Sequence, residues 1–134
     1  MFDQWIALKK ARKSRRIEYE ISSEGKFQKI YGPRADFGKV LITARPASEF
    51  SYESKAEWDS DDDNYDDIVL EGILDELLTR GLAPIPILAS FTLEQIWWHP
   101  VDGSPNAFYF AARDAVASIL KEETRQRVEE IKNG

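Results

Sequence analysis

The order in which apolar residues change their spacing constrains this chain more than any single motif. Ile17, Tyr19 and Ile21 alternate with polar residues, and extended character resumes from Phe27 to Ile30 after Gly25. Gly32-Pro33 and Gly38 punctuate a turn segment over 31–38, ahead of a strand over 40–44 that Pro46 ends. Phe50 and Tyr52, with Trp58 beyond them, mark a third extended segment. The period then changes to helical over 65–80, where Ile68, Val69, Ile73, Leu77 and Leu78 are expected to face the sheet, and Arg80 and Gly81 close the helix. After Pro84-Ile85-Pro86 a strand runs over 87–98. Ser104-Pro105 then reads as an N-cap followed by proline at the first helical position. Phe108, Ala111, Ala112, Ala115, Ile119 and Leu120 share one face of that second helix. Three strands, a helix, a strand and a helix make an α+β pattern.

The chain has 134 residues, 43% of them hydrophobic and 12% aromatic, enough for one domain with one core. We divide it into an amphipathic basic arm over 1–15, a globular domain over 16–121 and a charged helical extension over 122–134. In that extension Val128 and Ile131 are expected to dock only weakly. The chain has no cysteine, and its only histidine is His99, so zinc chemistry lacks ligands. The opening Met1 to Leu8 is apolar but has no basic leader, and no run approaches the roughly 20 residues that span a bilayer. A cytoplasmic protein without membrane contact is expected.

Charge is unevenly spread. Lys9, Lys10, Arg12, Lys13, Arg15 and Arg16 crowd the arm, while the formal net charge is −6. So acidic a body repels a nucleic-acid backbone, and any RNA contact belongs to the arm or to a local patch. Asp59, Asp61 and Asp63 have the spacing of a calcium loop. Asn64 stands where that loop needs glycine, however, and Leu70 stands where it needs a bidentate glutamate. The carboxylates are better read as favouring the start of the following helix. No metal site is expected.

Two stretches carry a resemblance. The first is Glu24-Gly25-Lys26-Phe27, followed by Gly32-Pro33-Arg34-Ala35-Asp36-Phe37-Gly38-Lys39-Val40. The second is Phe91-Thr92-Leu93, then His99-Pro100-Val101-Asp102-Gly103-Ser104 and Ala107-Phe108. Together they resemble domain IV of translation elongation factor G and the related ribosome-protection proteins, over residues 16–121. Gly72-Ile73 in the intervening helix agrees as well. The resemblance implies a four-stranded sheet with two helices on one face and a left-handed β-α-β crossover, against the usual right-handed rule. It also implies that the turns holding Gly32 to Gly38 and His99 to Ser104 form one tip, which in the family reaches the decoding site.

The residues this singles out are Gly32, Arg34, Asp36, Trp98, His99 and Asp102. The Arg34 guanidinium suits a phosphate. Pro33 and Ala35 replace family glycines, and Asp36 replaces a glutamine. One of Trp97 and Trp98 must face away from the core if the strand alternates, and an exposed tryptophan stacks on bases. His99 and Asp102 lack a nucleophile to complete a catalytic set, and there is no phosphate-binding loop, so neither an enzyme, a nucleotide nor any other cofactor is expected. The expected function is that of a non-enzymatic translation-associated factor docking its tip on a ribosomal or transfer-RNA site. The alternative is a protein–protein interaction module that kept the fold and lost the RNA site.

Overall fold

The computed structural model describes residues 15–32, 34–60, 63–79, 87–98 and 102–133. Alternation produces the strands: β1 (Arg15–Arg16), β2 (Ile21–Tyr31), β3 (Arg34–Pro46), β4 (Ser51–Ser54) and β5 (Ile87–Trp97). The helices are α1 (Asp66–Leu77) and α2 (Pro105–Asn133). β2 and β3 make one antiparallel hairpin in unbroken register, from Ile21 opposite Ala44 to Tyr31 opposite Arg34. β3 pairs antiparallel with β5, whose other edge carries β4 and the two-residue β1, both parallel to it. The result is a mixed sheet of four main strands with two helices, an α+β fold.

The hairpin is longer than its punctuation suggests. The turn segment expected over 31–38 shortens, because β2 runs to Tyr31 and β3 begins at Arg34 rather than Val40. The pairs Gln28–Phe37 and Lys29–Asp36 give that stretch a partner strand, which outweighs the glycine at 38. Gly32 has a φ of 60°, the positive value that a two-residue hairpin connection requires.

A single core joins Val40, Ile42 and Ala44 of β3 with Ala89, Phe91 and Leu93 of β5, Val69 and Ile73 of α1, and the apolar stripe of α2. Each large side chain buried there contributes about 1.5–3 kcal/mol. Every residue expected in the α2 stripe is buried. In α1 the expectation needs correcting, because Leu78 is 53% exposed whereas Glu76 is buried. The reason is the neighbouring helix: Glu76 pairs with Arg113 at 3.1 Å, and Tyr109 donates to Asp75 at 2.6 Å. Asp66 and Asp67 stand in the first turn of α1, but among the described residues no carboxylate makes a capping hydrogen bond. The Asn64 side-chain oxygen instead accepts from the Asp66 amide at 2.9 Å.

Gly25 lets α2 cross β2 at backbone distance, since a Cβ there would stand 2.0 Å from the Ala111 carbonyl oxygen. α2 continues past residue 122 as one helix of 29 residues, about 43 Å long. Its second half is tied to the body. Glu123 is fully buried and pairs with Arg127, and the Tyr19 hydroxyl donates to Glu130. Val128 and Ile131 stay exposed. Among the described residues no helix is long and apolar enough to cross a membrane. Of the basic arm, residues 1–14 lie outside the described residues.

Candidate functional site

The β2–β3 hairpin outruns its neighbour. The last β3–β5 pair is Lys39 with Trp97, so Arg34 to Gly38 continue about 17 Å past the end of β5. A free sheet edge there would leave backbone groups unpaired. The segment after β5 fills part of that gap, because the Phe37 amide donates to the Asp102 carbonyl at 2.8 Å and Phe37 bridges to Gly103. The described parts of the two turns therefore meet at one end of the sheet.

Three further contacts hold this joint. Gly38 faces the start of α2, where a Cβ would come within 2.7 Å of the Ala107 backbone. The Ser104 hydroxyl accepts from the Ala107 amide at 3.1 Å, the cap that Ser104-Pro105 predicts. Beneath the turn lies an aromatic cluster. Trp98 stacks on Phe108 with centroids 5.6 Å apart, Trp58 meets Phe108 edge-on at 5.1 Å, and Tyr65 closes the group. Trp58 donates its indole N–H to Asp66 at 2.7 Å, whereas the buried indole nitrogen of Trp98 has no hydrogen-bond partner among the described residues.

This geometry moves one residue out of the expected tip. Trp98 is a half-buried anchor of the aromatic cluster, and the tryptophan that faces away from the helices is Trp97. A β-bulge explains the exchange. Ile42 pairs with Leu93 but Leu41 pairs with Gln95, so Glu94 is left over and the alternation shifts by one residue. The consecutive polar residues Glu94 and Gln95 were the available signal.

The other expected residues are placed as follows. Gly32 is exposed at the apex, with nothing within 4 Å of a Cβ built on it. The Arg34 backbone closes the hairpin opposite Tyr31, while its side chain lies outside what the structure describes. Asp36 sits opposite Lys29 in the ladder, so a cation opposes its carboxylate. Asp102 contributes through its carbonyl. His99 lies outside the described residues, in the sequence between Trp98 and Asp102. Of the basic-arm candidates, Lys9, Lys10, Arg12 and Lys13 also lie outside them, and the Arg15–Arg16 backbone forms β1.

At the far end of the hairpin, Glu20, Ser22, Ser23, Ser118, Glu122 and Gln126 line an open groove of about 490 Å³. Its carboxylates are engaged by Arg45 and Arg125. Hydrogen bonds from Arg125, helped by Gln126, hold the Glu122 carboxyl down at about 2. Burial, reinforced by Asp66, pushes the Tyr52 phenol up. Among the described residues no three His, Cys, Asp or Glu side chains group so as to hold a metal ion.

With this arrangement in view, comparison with known proteins is informative about fold. The chain is similar to a protein of Thermus thermophilus known from a crystal structure, with a TM-score of 0.66 and 28% identity. The similarity covers 76% of this chain but only 16% of that one, so this chain corresponds to a small part of a much larger molecule. In all, 53 solved chains match. No protein-family model matches the sequence, and no curated protein does.

Proposed function

We propose that this protein is a non-enzymatic, translation-associated factor that docks its two-turn tip on a ribosomal or transfer-RNA site. The observation carrying the proposal is the hydrogen bond from Phe37 to Asp102, which makes one apex of two segments far apart in sequence. The resemblance to domain IV of elongation factor G rests on these same two segments. An overhanging hairpin with an arginine beside its turn is suited to reach into a cleft and meet a phosphate. The acidic body limits contact to the tip, the basic arm and local basic patches.

Co-sedimentation with ribosomes and binding to transfer RNA test the proposal. Arg34→Ala combined with His99→Ala is expected to weaken binding about tenfold, as loss of charge-assisted contacts does. Binding unchanged in that double variant but abolished by removing residues 1–14 contradicts a docking tip and assigns the contact to the arm. A second reading, a protein–protein interaction module, is favoured by Ile30, which is 70% exposed next to the hairpin turn. Absence of any ribosome or transfer-RNA binding at low salt selects it.

A further inference from the structure

The face of the sheet turned away from the helices carries an ordered set of side chains just below the tip. Gly25 and Gly38 point at α2, and Ile96 and Trp98 pack on the core, so Lys26, Phe37, Lys39 and Trp97 all lie on the opposite face. The pairing registers arrange them in rows. Lys26, Lys39 and Trp97 stand side by side across three strands. The next row toward the tip holds Gln28 and Phe37, and the row below holds Glu24, Leu41 and Gln95.

Two features of this lattice need a reason. Lys26 and Lys39 are directly opposite in the ladder, a like-charge pairing that destabilises a sheet, in a chain whose net charge is −6. Each lysine also lies over an outward ring: Lys39 Nζ is 4.5 Å from the Trp97 centroid and Lys26 Nζ is 5.9 Å from that of Phe37. Glu24, 3.3 Å from Lys39, is the acid that borders the pair. The rings occupy diagonal positions on adjacent strands, about 8 Å apart. Two aromatic platforms, two cations beside them and the exposed amides of Gln28 and Gln95 match the needs of an unpaired nucleic-acid strand. Rings stack bases, ammoniums meet phosphates and amides read base edges.

We infer that this open sheet face binds a short stretch of single-stranded RNA, stacking two neighbouring bases on Trp97 and Phe37 while Lys26 and Lys39 contact the backbone. The inference rests on the translation reading and adds to it a second contact surface, below the tip rather than on it. Local positive charge on an otherwise acidic molecule selects a polyanion, and outward rings select one with unpaired bases.

Fluorescence anisotropy of a labelled oligouridylate with the full chain tests it. Trp97→Ala and Phe37→Ala are each expected to weaken binding by about 5- to 100-fold, the range for loss of one stacked base. Trp97→Phe should retain most of it. Lys26→Glu, an exposed change that turns the like-charge pair with Lys39 into an opposite-charge one, should weaken binding and flatten its salt dependence. A duplex RNA of equal charge should compete poorly. Failure of the oligouridylate to bind, or duplex competing equally while Trp97→Ala binds like the wild type, overturns the inference. Ribosome co-sedimentation surviving in Trp97→Ala alongside either result leaves the docking tip standing and removes only this face.

Discussion

The two ends of the β2–β3 hairpin are built on opposite terms. Where it crosses α2, backbone meets backbone and Gly25 is required because no methyl group fits. At the apex Gly32 has open space around it and is required only for its positive φ. One end is fixed by packing, and the other is an overhang held by one backbone bond and the residues around it. Rigid support beneath an exposed projection is the arrangement expected of a contact surface.

The largest effect that separates the ends is a pair of glycine substitutions. Gly25→Ala forces backbone apart and should cost about 3 kcal/mol or more, a large share of a small domain's stability. Gly32→Ala adds only left-handed strain, about 1–2 kcal/mol. Urea denaturation of both variants measures the contrast, and equal losses would contradict it. Next comes the tryptophan pair. Trp98→Ala removes a stacked member of the aromatic cluster and should cost about 2–4 kcal/mol, whereas Trp97→Ala should cost about 1 kcal/mol or less. The reverse order would mean that the bulge at Glu94 is misplaced.

The smallest effect is in pH. The hydrogen bonds from Arg125 and Gln126 hold Glu122 at about 2, below its ordinary 4.5. Its contribution is therefore present above 4.5 and fades as pH falls toward 2. The Tyr19 hydroxyl, donating to Glu130, is pushed up to about 12 from 10. That bond is present below 10 and is lost as pH rises through 12. Helical circular dichroism should weaken slightly in both windows as the last turns of α2 fray, while the near-ultraviolet signal of the Trp98 cluster stays constant. Simultaneous loss of both signals would mean that the end of α2 and the body form one unit.

Much of this was legible in the residues. The α2 stripe from Phe108 to Leu120, its Ser104-Pro105 start and the order of elements follow from local spacing, and local spacing is what a helix face and a cap depend on. Features set by a partner strand were not legible in this way. Pairing with Gln28 and Lys29 turns 34–38 from a loop into strand, and the leftover Glu94 reverses which tryptophan faces outward. Charge misled in the same manner. Glu76 and Glu123 look solvated in the sequence, but both are buried: Glu76 beside Arg113, which only the fold brings close, and Glu123 beside Arg127 one helical turn on, with burial that its helix position alone does not announce.

The joint between the two turns is tested most directly by hydrogen exchange at the Phe37 amide. Bonded to the Asp102 carbonyl beyond the end of β5, it should exchange as slowly as the paired amides of β3 around Leu41. Exchange at the rate of an unstructured amide, with Leu41 still protected, would mean that the hairpin and the segment after β5 do not form a shared apex.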